Sequence, residues 1–269
     1  MTTIIEPRVH DLGDGFLVRR AVPSIQARSV GPFVFVDHMG PVVFEGGRGL
    51  DVRPHPHIGL STVTYLLRGR LHHRDSIGTD QWIEPGAVNL MSAGNGVTHS
   101  ERTDGEARER PLSMFGIQTW LALPEANEDD PATFQHVEKA SLPLLEGEGK
   151  QVRLILGDAW GERAPVDLPS ETFYADAVLD PSAAVPLPDN HEDRGVYVLT
   201  GEVSVAGQSF EVGRMMVFRP GDRITVKAGP EGARIMALGG ATLGGPRYVW
   251  WNFVASSRER IEAAKTAWK

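Results

Sequence analysis

No cysteine occurs among the 269 residues of this chain. That one absence excludes disulfides, thiolate metal sites and cysteine nucleophiles together. Long apolar runs are missing too. Stretches such as Phe33 to Val36 fall far short of the roughly 20 residues that span a bilayer, so no membrane segment is expected. The first thirty residues carry Glu6, Arg8, Asp11, Asp14, Arg19 and Arg20 without an apolar core behind a basic start, so no secretory signal is expected and the cytoplasm is the expected compartment. Basic residues are outnumbered, 27 against 35 acidic, for a net charge of −8, and none of them cluster with aromatics. Direct nucleic-acid binding is therefore not expected, and an acidic surface suits a protein partner better than DNA.

What is present is glycine and proline, 30 and 19 residues spread along the whole chain. That density of turn formers points to many short elements. Short β-type runs fit it: Phe33 to Val36, Leu60 to Leu67, Ala87 to Met91, Phe115 to Leu121, Val152 to Leu156, Gly195 to Leu199, Val203 to Val205, Met215 to Phe218 and Ile224 to Val226. Regular short strands between turns indicate an all-β sandwich or barrel. One helix is expected, at the C-terminus, where Ser256-Ser257-Arg258-Glu259 has the form of a capping box and Ile261, Ala264 and Trp268 share a face. Composition turns polar between Pro124 and Gly149, which sets a boundary between about 125 and 150 and two expected domains, 1–130 and 131–269.

An internal repeat supports two domains. Val63-Thr64-Tyr65-Leu66-Leu67-Arg68-Gly69 is echoed by Gly195-Val196-Tyr197-Val198-Leu199-Thr200-Gly201, and Ile83-Glu84-Pro85-Gly86 by Phe210-Glu211-Val212-Gly213. Each half reads as strand, glycine turn, hairpin and second glycine turn, the pattern of a duplicated β-barrel. The chemistry separates the halves: the first is histidine-rich at its strand starts, whereas the second has only His191 near the equivalent place.

Residues two apart on a strand face the same way, so His55-Pro56-His57 presents two imidazoles to one surface, and His99-Ser100-Glu101 presents an imidazole and a carboxylate. If the pairs meet inside one barrel, His55, His57, His99 and Glu101 make a cage of three nitrogens and one oxygen for one divalent metal. The adjacent His72 and His73 must face opposite ways, and His73 is expected to orient a ligand by hydrogen bond. His10, His38 and His136 read as structural or surface residues. Gln118 could reach the cavity, and the Trp250-Trp251 pair reads as packing between the barrels.

Taken together, Arg53-Pro54-His55-Pro56-His57-Ile58-Gly59, Thr62 to Gly69, His73-Arg74-Asp75-Ser76, Pro85-Gly86 and Met91 to Glu101 closely resemble the pirin family of the cupin superfamily. Asp37-His38-Met39-Gly40-Pro41, Gly116 to Trp120 and Trp250-Trp251-Asn252-Phe253 extend the resemblance over nearly the whole chain. It implies two tandem cupin (jelly-roll) β-barrels with a short C-terminal helix. The N-terminal barrel would hold one metal through His55, His57, His99 and Glu101, and the C-terminal barrel would hold none. Iron, as Fe(II), is the metal the resemblance implies, with manganese, nickel, copper and zinc open to the same ligands. Many cupins take a carboxylate four or five residues after the His-x-His pair. Those places here hold Ser61 and Thr62, and Glu101 supplies the carboxylate instead, as in pirins.

Two activities of different classes follow. One is a quercetin 2,3-dioxygenase-type oxidoreductase opening a flavonol with O2, in which Glu101 also serves as catalytic base toward a small polyphenol substrate. The other is a regulatory protein that senses metal or redox state and acts through a protein partner without turnover. A third variant is a cupin tuned to another enolisable small molecule.

Overall fold

The computed structural model describes residues 3–11, 16–103 and 105–269. Among the described residues the fold is mostly sheet, with one α-helix, Arg258–Trp268, at the C-terminal end. Every expected strand is present, and most extend beyond the apolar run that announced them. Gly195 to Leu199 and Val203 to Val205 form one strand, Asp193–Val205, rather than two joined by a turn. Gly201 does adopt the left-handed conformation expected of a turn residue, but the chain absorbs it as an irregularity in pairing with Thr225–Gly240.

Two compact units divide the chain, and each is assembled from three stretches. One comprises residues 1–8, 19–35 and 140–242, and the other 9–18, 36–139 and 243–269. Residues 243–269, helix included, pack with the histidine-rich unit. The reason is packing: Ile261 and Ala264 lie against Ile58, Tyr248, Phe253 and Ala255 of that same unit.

The unit holding most of the second half is built on a sheet whose central order runs Met215–Phe218, Asp193–Val205, Thr225–Gly240, Thr172–Leu179 and Lys150–Ala159. Its core is aliphatic, drawn from Leu154, Ala175, Val196, Val198, Val203 and Ile235 among others.

The histidine-rich unit contains a four-stranded antiparallel sheet in the order Asp51–His57, Val97–Arg102, Leu71–Asp75 and Asp80–Ile83. The strand Leu60–Arg68 lies between Val88–Ser92 and Leu112–Ala122 in a larger sheet. Leu60 to Leu66 are all buried, so both faces of that strand are covered and its sequence reads as a continuous run rather than an alternation. Its Thr62 and Thr64, polar yet buried, lie on one face, and Val63 and Tyr65 on the other.

Gly59 links the His55 strand to Leu60–Arg68. Its φ is +65°, and a Cβ there would stand 2.0 Å from the carbonyl oxygen of Val254. Only glycine admits that approach, which lets Ile58 bridge to Phe253 and brings the C-terminal hairpin against the His55 strand. The helix is capped one residue later than a Ser256 start predicts. Ser257 accepts from the Arg260 N–H, while Ser256 gives its N–H and hydroxyl to the two oxygens of Glu128.

Candidate metal centre

Three neighbouring strands carry the site. Across Val97–Arg102, His99 sits opposite His55 on one side and Asp75 on the other, and Glu101 sits opposite His73. Because side chains alternate, His55 and His57, His99 and Glu101, and His73 and Asp75 all project from one face of this sheet. Between His99 and Glu101 the register slips by one residue at the partner strand, where Arg53-Pro54 forms a bulge. Proline suits that place, since a bulge leaves an N–H without a ladder partner and proline has none.

The histidines converge. His55, His57 and His99 form one group whose ligand atoms all lie within 4.8 Å of one another, and His73, His99 and Glu101 form a second that shares His99. His57 Nε2 is 3.0 Å from His99 Nε2. His57, His99 and Glu101 are buried, whereas His55 is half-buried and Gln118 likewise, so solvent reaches this cluster on the side of those two residues.

Each imidazole has its other nitrogen engaged. His57 Nδ1 donates to the carbonyl oxygen of Asn252 at 3.1 Å, and His55 Nδ1 to that of Arg53 at 2.8 Å. A ring nitrogen that donates to a carbonyl carries the proton, which leaves Nε2 of both rings bare in the neutral form. The neutral form is favoured: burial, then the neighbouring His55, pushes His57 down to about 3 against the raising effect of the Asn252 carbonyl. His99 is pushed well below its ordinary value by burial and then by His57, His55 and His73. The bare His57 Nε2 faces His99 Nε2 at 3.0 Å, a separation at which both nitrogens could serve one cation. The donor set therefore fits a divalent metal.

Glu101 Oε1 accepts from the Thr64 hydroxyl at 2.9 Å. Thr64 Oγ1 also lies 2.8 Å from Gln118 Oε1. A hydroxyl has one proton, so Thr64 donates to one of these two oxygens at a time; turning the Gln118 amide by 180° would let its NH2 donate to Thr64 and Thr64 donate to Glu101. His73 Nε2 is 3.0 Å from Asp75 Oδ2, and its Nδ1 is 3.3 Å from His99 Nδ1. Burial would raise the Asp75 carboxyl, but hydrogen bonds from His73 and Thr79 outweigh it and hold it below its ordinary value.

His72 points the other way, stacked on Trp82 and paired with Asp80. His136 is tied to Asn89 and Glu138. His191, in the other unit, is buried with both nitrogens engaged, by Glu171 and the Asp158 carbonyl. Trp250 and Trp251 are 43% and 49% exposed and lie against Phe253 and, for Trp251, Trp268. Three contributors were not foreseen: Asp75, Thr64 and the Asn252 carbonyl. The same two-residue spacing that marks His55 and His57 also marks His73 and Asp75, and could have found the first of these.

Residues 15–121 match the family model described as Pirin, and residues 174–269 the one described as Pirin C-terminal cupin domain. A pirin-like protein of Caulobacter vibrioides is 46% identical over 99% of this chain and 92% of its own. The chain belongs to the pirin family. Two crystal structures of quercetin 2,3-dioxygenase from Acinetobacter baumannii are similar to this pirin-family chain. One is 33% identical with a TM-score of 0.92, covering 99% of this chain and 88% of that one. The other is 25% identical with a TM-score of 0.90, covering 98% and 94%. Among the described residues no helix is long and apolar enough to cross a membrane.

Proposed function

We propose that this pirin is a metal-dependent dioxygenase that opens a flavonol such as quercetin with O2, using one Fe(II) held by His55, His57, His99 and Glu101. The observation that carries the reading is the convergence of three imidazoles, two of them buried and held neutral, on the face that also bears Glu101. The likeness to proteins named quercetin 2,3-dioxygenase supports it. Bound there, a divalent iron supplies Lewis acidity toward a substrate enolate and a redox partner for dioxygen.

The chain's own residues do the rest. The planar substrate enters on the side of His55 and Gln118. Glu101 takes the proton of its hydroxyl, a role worth roughly 10²–10⁴ in rate for a positioned base. Thr64 donates to the carboxylate Oε1 and so fixes the orientation of the group. Trp120, whose ring is 5.3 Å from that of His57, and the buried Leu60–Arg68 strand exclude water.

The test is incubation of iron-loaded protein with quercetin under oxygen, following loss of the flavonol's visible absorbance. Turnover proportional to bound iron is expected, and no turnover with any of iron, manganese, nickel or copper would overturn the reading. That second outcome favours a regulatory protein, for which the exposed Trp250, Trp251 and Trp268 offer the kind of aromatic surface that partners engage.

A further inference from the structure

We propose that Asp75 and His73 are positioning residues that fix which nitrogen of His99 carries its proton, through a one-way chain of hydrogen bonds running from a backbone turn to the metal-facing nitrogen. The inference rests on the reading that His99 Nε2 is a metal ligand.

The chain starts at Asp75 Oδ1, which accepts the N–H groups of Ile77 and Thr79 at 3.1 and 2.9 Å. Those donors cannot reverse, so Oδ1 is committed as an acceptor. Oδ2, in a side chain with no exposed surface, faces His73 Nε2 at 3.0 Å. A carboxylate only accepts, so His73 Nε2 must carry the proton, and in the neutral ring that leaves His73 Nδ1 bare. That bare nitrogen faces His99 Nδ1 at 3.3 Å, so His99 must donate from Nδ1. His99 Nε2 is left bare, facing His57 Nε2. The opposite polarity, with His99 Nε2–H donating to His57, would put a bare nitrogen of a neutral His73 against the Asp75 carboxylate in a buried place, which nothing compensates. Each of the three ligand histidines thus has its tautomer set by a different fixed group: the Arg53 carbonyl, the Asn252 carbonyl and, at one remove, the Asp75 turn. His73 is close enough to Glu101 and His99 to resemble a ligand, but both of its nitrogens are engaged in this chain, which assigns it to support.

The Asp75→Asn variant tests the direction of the chain with a change of one atom. The two backbone donors keep the amide oxygen at the Oδ1 place, so the NH2 faces His73 Nε2 and forces it to accept. His73 must then carry its proton on Nδ1, against the His99 Nδ1 proton. His99 is driven to the Nε2–H form, which cannot ligate.

Two measurements apply. In wild-type protein stripped of metal and labelled with ¹⁵N-histidine, NMR at neutral pH should show His99 protonated on Nδ1 and His73 on Nε2. His99 protonated on Nε2 would overturn the proposal, whatever the variant does. With zinc(II) as probe, competed against a chromophoric chelator, Asp75→Asn should bind about 10–100-fold more weakly, the usual cost of losing a group that orients a ligand. Its circular dichroism should be unchanged and its His73 and His99 tautomers reversed. Affinity within threefold of wild type with the tautomers unchanged would refute it. If the wild-type tautomers are as stated but no flavonol is consumed, the proposed activity fails and this inference stands. Turnover by a protein whose metal-free His99 carries its proton on Nε2 gives the converse.

Discussion

Glu128 is a carboxylate with no exposed surface, and removing it should destabilise the fold strongly. Its Oε1 accepts the Ser256 N–H at 2.7 Å and its Oε2 the Ser256 hydroxyl at 2.9 Å. Arg260 Nε stands 3.1 Å from Oε2 and Arg247 Nε 3.7 Å from Oε1. Glu128→Ala would leave the nearly buried Arg247 without its counter-charge, the Ser256 N–H without an acceptor, and a void. Breaking a buried ion pair by removing one partner costs about 3–5 kcal/mol. For a chain of this size each kcal/mol moves the melting temperature by roughly 2–4 °C, which puts the expected drop at roughly 6–20 °C. The same lesion loosens the segment carrying Asn252, so metal affinity should fall alongside. Differential scanning calorimetry of the metal-free and zinc-loaded forms reads both effects. A drop under about 2 °C would mean that desolvation of the carboxylate cancels its contacts and that the reasoning is wrong. Replacing Glu128, Arg247 and Arg260 together by Leu, Met and Met should recover much of the loss, because apolar side chains of similar volume carry no desolvation penalty.

Metal analysis should give one ion per chain, with His57→Ala abolishing binding and His191→Ala leaving it intact, since both His191 nitrogens already serve structural bonds. Glu101→Gln keeps an oxygen donor and the shape but removes most of the basicity. Flavonol turnover should fall by about two orders of magnitude or more while much of the metal is retained, and near wild-type turnover in the fully loaded variant would make Glu101 a ligand only. Acid should destabilise the metal-free protein. His57 is held at about 3 when folded and returns to its ordinary 6.5 when unfolded, so between those values the unfolded chain binds more protons and stability falls as pH falls. From pH 7 to 5, His57 alone contributes a loss of roughly 2 kcal/mol, with His99 acting in the same direction. Urea titrations at the two pH values check this, and equal stabilities would contradict a neutral buried His57.

The residues most legible in the sequence were those whose chemistry is announced by local spacing. His55 with His57, and His99 with Glu101, lie two apart on strands, and that periodicity alone puts each pair on one face. His73 was separable from His72 for the same reason. Long-range partners were not legible. Nothing near Asn252 marks its carbonyl as the acceptor for His57, because backbone groups carry no side-chain signature. The helix pattern at Ile261 and Ala264 announced an amphipathic element but not its target, which is Ile58 and Phe253. Nor does the sequence mark the turn at Trp251, where a positive φ accompanies two half-exposed indoles.

The hydrogen bond from His57 to Asn252 joins residues 195 apart in sequence. A ribosome makes the chain from one end, so His55, His57, His99 and Glu101 all emerge long before the carbonyl that orients His57 exists. During synthesis the nascent first half lacks that restraint, along with the Val254 carbonyl packed on Gly59, and the intervening unit must be made first. A fragment stopping near residue 130 would therefore carry His55, His57, His99 and Glu101 without the carbonyl that orients His57.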